Sequence, residues 1–181
     1  MTTTEPMTAA EILAAHTREV ADFPQPGVMF KDLTRLFRDP DAFALVLQDI
    51  ADRWSGTVDV VAGIEARGFI IGAPLAQRMS LGFVPIRKAG KLPGETHSQT
   101  YDLEYGTATI EVTADAFATE SGPRVLLVDD VLATGGTAAA ACRLVESAGA
   151  QVVGIEVLLE LGFLAGREQL PGREVRAILV D

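Results

Sequence analysis

The segment Val125-Leu-Leu-Val-Asp-Asp-Val-Leu-Ala-Thr-Gly-Gly-Thr137, VLLVDDVLATGGT, decides the fold class. Its opening apolar run reads as a strand covered on both faces, because a half-exposed strand would alternate apolar with polar residues. Asp129 and Asp130 stand at the carboxyl end of that run. The loop Ala133-Thr-Gly-Gly-Thr137 then opens a helix whose alanines, Cys142, Leu144 and Val145 lead to a stop at Gly149. A buried strand, a glycine loop and a helix in that order are the unit of a parallel sheet flanked by helices.

The pattern repeats on either side. Short β-rich apolar runs at 58–63, 82–86, 151–159 and 175–180 alternate with helical spacing at 67–79, 137–148 and 162–169. Before them, 8–21 shows helical spacing through Ile12, Leu13 and Val20. FPQPGVMF (23–30) carries two prolines and a glycine and reads as a fixed irregular loop. Asp39 to Trp54 reads as an amphipathic helix, capped near Asp39 with Pro40 in its first turn. QTYDLEYGTATIEVT (99–113) alternates around Tyr105-Gly106 and predicts a hairpin-like flap. The expected class is α/β: a central, mainly parallel sheet flanked by helices, with a small hood.

Whole-chain properties narrow the function. A chain of 181 residues supports one well-buried core rather than two ordinary domains, so a single domain over 1–181 is expected. The net charge of -10, from 25 acids against 15 bases, disfavours a nucleic-acid groove. The longest uncharged run, Val131 to Cys142, falls far short of the about 20 residues of a membrane span. The N-terminus lacks a basic-then-apolar leader. Cys142, the single cysteine, cannot form an internal disulfide. A cytoplasmic protein with no nucleic-acid or membrane partner is the expectation.

The opening segment also points to a ligand. A helix N-terminus offers free N–H groups and about half a positive charge, and so attracts anions. Gly135 and Gly136 let the backbone approach a phosphate, while Thr134 and Thr137 add hydroxyl donors. Asp129 and Asp130 would repel that phosphate unless they face another part of the same molecule. Sugar hydroxyls and a magnesium shell are the natural candidates, which together imply a phosphorylated ribose. Taken alone, Asp-Asp would only end a strand and Gly-Gly only make a turn; it is the complete run that carries the argument. No Walker loop and no Gly-x-Gly-x-x-Gly after a strand competes with it.

The thirteen residues resemble the phosphoribosyl pyrophosphate (PRPP) signature of type I phosphoribosyltransferases. FPQPGVMFKD (23–32), GIEARGF (63–69), RKAGKLPG (87–94) and YDLEYG (101–106) resemble, in order and spacing, the successive segments of the adenine phosphoribosyltransferase family. The resemblance runs from about residue 23 to Glu168. It implies the type I phosphoribosyltransferase fold, with 1–35 and the loop 95–113 forming the hood and base site. The implied reaction takes adenine and PRPP to AMP and pyrophosphate, with Mg2+ arriving on PRPP and no dedicated metal ligands in the protein.

The resemblance also distributes roles. Asp129 and Asp130 would hold the ribose hydroxyls, and Ala133, Thr134, Gly135, Gly136 and Thr137 the 5′-phosphate. Arg67, Arg87, Lys88 and Lys91 would support the pyrophosphate as its charge develops. A non-proline cis peptide is implied between Glu65 and Ala66. Arg87 can act across a subunit boundary in this family, which implies a homodimer. Met29 and Lys31 would read adenine through their main chain, with Phe30 and Leu161 on the base faces. Glu104, in the hood, would act as general acid/base near N7 or N9, with Tyr101 and Tyr105 packing the lid. Lys31 stands where family members often carry arginine, a change of little weight if recognition is by the backbone. His16 and His97 receive no role. Two other readings stay open: transfer to a different base, and a PRPP-sensing regulator. The second would need a nucleic-acid surface or an attached module, for which the acidic chain and its 22 residues before the base loop leave no room.

Overall fold

The computed structural model describes residues 7–103, 106–119 and 121–181. The chain opens with α1 (Ala9–His16), started by a reciprocal capping box in which Thr8 accepts from the Glu11 N–H and the Glu11 carboxylate accepts from the Thr8 N–H. The periodicity over 8–21 had predicted a longer helix. It stops at His16 because 18–20 form β1 (Arg18–Val20), antiparallel to β2 (Phe30–Asp32), with Arg18 Nη2 2.7 Å from Asp32 Oδ2. Residues between them make the expected irregular turn, with a cis Phe23–Pro24 bond and Gly27 at φ 86°. A short α2 (Thr34–Arg38) leads to α3 (Pro40–Trp54), whose N-cap is Asp39, accepting from the N–H groups of Asp41 and Ala42.

The α/β body then begins. It comprises β3 (Val60–Ile64), α4 (Arg67–Met79), β4 (Gly82–Lys88), β5 (Thr96–Leu103), β6 (Gly106–Thr113), β7 (Arg124–Leu132), α5 (Gly136–Ser147), β8 (Gln151–Glu160) and β9 (Val175–Val180). One seven-stranded sheet results, in the order β5-β6-β4-β3-β7-β8-β9. The five strands from β4 to β9 are parallel. The hairpin is no detached flap: β6 pairs antiparallel with β4 through Arg87–Glu111 and Lys88–Ile110 and so extends the sheet edge. The helix expected over 162–169 is two 3-10 turns, Gly162–Leu164 and Gly166–Gln169, broken by Ala165 at φ 51°. A left-handed residue between them cannot continue a right-handed helix.

The sheet is covered on both faces, as the unbroken apolar run requires. Along β7, Val125 and Leu127 pack with the buried face of α5, while Leu126 and Val128 pack with α3 and α4. All four are fully buried, and each such side chain contributes about 1.5–3 kcal/mol relative to exposure. Helix α4 buries Gly68, Ile71, Gly72, Leu75 and Ala76, a stripe with helical period. Gly68 sets its approach to the sheet, since a Cβ there would lie 2.6 Å from the Val128 carbonyl oxygen. The chain leaves β3 toward β4 on one side and returns to β7 on the other. The sheet order therefore reverses between β3 and β7, the place where open α/β sheets bind ligands.

Candidate active site

At that reversal, beyond the carboxyl ends of the strands, lies a cleft of about 530 Å³. Strand β7 runs on past Ile64, the end of β3, so that the acidic pair lies inside the strand rather than beyond it. Asp130 is 4 % exposed. Burial, and then the charge of Asp130, push the Asp129 carboxyl well above the ordinary carboxylate range, and burial also raises Asp130. Asp129 Oδ1 accepts from the Asp130 N–H at 2.9 Å. Arg67 Nε stands 2.8 Å from Asp130 Oδ2, yet off the line of a hydrogen bond, so that among the described residues this buried oxygen has no aligned donor. A polar atom left so is an invitation to a hydroxyl or a hydrated cation.

The cleft gathers residues from six stretches of chain. Met29, Phe30 and Lys31 come from the turn before β2 and from β2 itself. Arg67 comes from the start of α4, Lys88 from the end of β4, and Asp129 and Asp130 from β7. Ala133, Thr137 and Leu161 complete the wall. Thr134 and Gly136 line an adjoining apolar hollow with Met29 and Phe163, and Gly135 a small cavity beneath the loop. Gly135 is the N-cap of α5 at φ 84°, a conformation that favours glycine. Among the described residues, every one expected to hold the 5′-phosphate or the faces and edge of the base therefore borders this cleft or the spaces beside it.

Two of the expected cations lie differently. Arg87 and Lys91 do not line the cleft; they converge on Glu65, with Lys91 Nζ 2.5 Å and Arg87 Nε 3.5 Å from its carboxylate. The Glu65 carboxylate also accepts from the Lys88 N–H at 2.9 Å. Lys91 foremost, with Lys88 and Arg87, lowers the Glu65 pKa to about 2. The Glu65–Ala66 bond is cis. Glu65 was passed over in the sequence: nothing local reveals a carboxylate that reaches residues 23 and 26 positions further on.

The base side is similarly specific. The Lys31 ammonium is bound to Glu19 at 2.6 Å and Asp181 at 2.5 Å, and its side chain is 9 % exposed. Its charge is thus committed outside the cleft. The Arg67 guanidinium lies 5.5 Å from the centre of the Phe30 ring, a cation–π distance. The Phe23 ring meets Phe30 edge-on at 5.1 Å. Tyr101, on β5, lines the cleft, and its hydroxyl accepts from Thr137 Oγ1 at 3.3 Å, which ties the hairpin to the glycine loop. Glu104 and Tyr105 lie outside the described residues. His16 has a structural position, with Nε2 3.3 Å from Asp39 Oδ2 beside the cap of α3.

Among known proteins, the family profile described as the phosphoribosyl transferase domain matches residues 41–171. A curated relative from Streptomyces coelicolor, an adenine phosphoribosyltransferase, is 57 % identical over 92 % of this chain and 91 % of its own length. The chain belongs to the adenine phosphoribosyltransferase family. Its fold is that of the family's solved members. The enzyme from Thermoanaerobacter pseudethanolicus superimposes with a TM-score of 0.90 at 46 % identity, covering 95 % of this chain and 99 % of that one. The Saccharomyces cerevisiae enzyme, solved with an imino-altritol bisphosphate and adenine, gives 0.89 at 38 % identity, covering 94 % and 98 %. The resemblance first carried by five short segments thus extends over the whole architecture.

Proposed function

We propose that this protein transfers the 5-phosphoribosyl group of PRPP to adenine, giving AMP and pyrophosphate, as a purine salvage enzyme. The observation that carries the reading is the meeting at the sheet reversal, in one cleft and the spaces beside it, of an acidic pair whose Asp130 is buried, a glycine loop at a helix N-terminus and the 27–31 turn. A phosphorylated ribose fits the first two and a planar base the third. Membership of a family whose relatives carry that activity, and the yeast enzyme solved with adenine, support it.

Each part of the chain has a task in this reading. The loop 133–137 holds the 5′-phosphate by N–H and hydroxyl donors. Asp129 and Asp130 hold the ribose hydroxyls, and Asp130 Oδ2 is the oxygen that lacks an aligned donor before they arrive. Arg67, Lys88, Arg87 and Lys91 stabilise the charge that develops on departing pyrophosphate, a contribution greatest where water is excluded. Arg67 must leave the Phe30 face and Asp130 to do so, which frees the ring for the base and the carboxylate for the sugar. Met29 and Lys31 read adenine by main-chain polarity; Phe30 and Leu161 bracket it. Glu104 manages the purine proton, and the hairpin shields the oxocarbenium-like centre from water.

Among the described residues, no three His, Cys, Asp or Glu side chains cluster to hold a metal. The two adjacent carboxylates, one with an unpartnered oxygen, fit a magnesium ion carried by PRPP rather than a protein cage. When bound, that ion neutralises charge on the leaving pyrophosphate. The working form is a homodimer in which Arg87 reaches the neighbouring site, and the hood draws on 1–35 and 95–113 within one domain. The reading is tested by incubating the protein and PRPP with adenine, hypoxanthine, guanine and orotate in turn. Rapid nucleotide formation with adenine alone is expected; preference for any other base overturns it.

A further inference from the structure

The loop 133–137 rests on a turn that arrives from much later in the chain. Gly166 is buried against it. A Cβ on Gly166 would lie 2.1 Å from the Ala133 carbonyl oxygen and 3.1 Å from the Gly135 nitrogen. A Cβ on Gly135 would in turn lie 2.2 Å from the Gly166 carbonyl oxygen. Two backbones therefore touch through two glycines, with no room for a methyl group between them. The contact is made by the very segment read above as the 5′-phosphate cradle.

The turn is itself clamped. The Arg167 guanidinium forks the Glu160 carboxylate, with Nε 2.7 Å from Oε1 and Nη2 2.6 Å from Oε2, while Nη1 donates to the Val175 carbonyl at 2.7 Å. Glu160 is buried at the end of β8, and the next residue, Leu161, donates its N–H to the Leu132 carbonyl at 2.9 Å. Leu132 ends β7, one residue before the loop begins. The chain of contacts closes on itself: end of β7, end of β8, fork, turn, loop. A planar, bidentate fork holds direction as well as distance, which a single point charge does not. No role in binding was legible for these residues, because the sequence shows only a Glu and an Arg seven positions apart.

We propose that Glu160, Gly166 and Arg167 are positioning residues for the sugar phosphate: they form the backstop that sets how far the N–H groups of 135–137 stand from the 5′-phosphate. The inference rests on the reading of this loop as the 5′-phosphate cradle. Displacement by a fraction of an ångström weakens every N–H contact at once, so the effect falls on PRPP and AMP and spares the base.

The test uses the full chain as wild type, Gly166→Ala, Arg167→Met and Arg167→Lys, each checked by circular dichroism. Ribose 5-phosphate is titrated calorimetrically, and KM for PRPP, KM for adenine and kcat are measured separately. Arg167→Met and Gly166→Ala are expected to raise both the ribose 5-phosphate Kd and KM for PRPP by about tenfold or more, with KM for adenine within about twofold. Arg167→Lys should fall between them and wild type. Folded Arg167→Met with unchanged Kd and KM for PRPP, or with both KM values raised alike, overturns the proposal. If Gly166→Ala or Arg167→Met does not fold, Arg167→Lys decides it by the same criterion. Wild type that binds ribose 5-phosphate but makes no AMP refutes the proposed activity, while the Kd series still judges the backstop.

Discussion

Asp129 is where function and stability oppose one another. Its carboxyl is raised by burial and by Asp130, so between the ordinary value of about 4 and the raised one the native state binds more protons than the unfolded. Stability therefore falls as pH rises through that window, and the cost persists above it. Asp129→Asn keeps an oxygen to accept from the Asp130 N–H but removes the charge. It should raise the ligand-free melting temperature at pH 7, by a margin that shrinks as pH approaches 4. PRPP affinity should fall about tenfold or more, in line with about 1.5–3 kcal/mol for hydrogen bonds to charged groups. Differential scanning calorimetry and titration with magnesium and PRPP measure the two halves; unchanged affinity would remove the ribose role. Glu104 poses the complementary question. Glu104→Gln keeps size and hydrogen-bonding reach while losing basicity. It should leave PRPP binding nearly intact and slow single-turnover AMP formation by at least about tenfold, the low edge of general acid–base contributions. Wild-type speed in one turnover would assign the proton to another carrier.

Single elements make separable contributions. Helix α3 lies against the far face of the sheet from α5 and depends on Asp39, which caps two N–H groups and meets His16. Asp39→Ala should lower the melting temperature by about 2–6 °C without altering KM for either substrate. A thermal melt indistinguishable from wild type would mean that Pro40 and packing alone start the helix. The β1–β2 ribbon answers to Lys31, whose ammonium joins Glu19 on β1 to Asp181 just past β9. Lys31→Ala should loosen the ribbon and reduce turnover, yet leave adenine preferred over hypoxanthine, because the charge it removes is already spent outside the cleft. Competition between the two bases reads this directly. A shift toward 6-oxopurines would show that the side chain, not the backbone, recognises the base.

At the scale of the whole molecule, the Arg87 and Lys91 side chains converge on Glu65 rather than line the cleft, and among the described residues Arg87 Nε is buried without a hydrogen-bond partner. A second copy of the chain packed against this cluster would give Arg87 a further anion to meet. Sedimentation is expected to show a species of twice the 19.2 kDa chain mass at assay concentrations. Full activity from a monomer would exclude shared sites.

What the sequence by itself determined is local. The apolar run of 125–128 demanded a strand covered twice, and the stripe on α4 and the Asp39–Pro40 start each appear where the periodicity predicts, because period and capping depend on neighbours within one turn or one pleat. The glycine loop at the start of α5 was legible for the same reason. The tertiary structure alone decided the rest. Three-residue strands such as β1 and β2 have too little length to show a period, and their pairing stopped α1 short of Val20. The order of strands, the hairpin's attachment to β4, the hold of Glu65 on Lys91 and the seat of Gly135 on Gly166 all join residues far apart along the chain. Such contacts exist only once the sheet has assembled, since it is the sheet that brings their carriers within bonding distance.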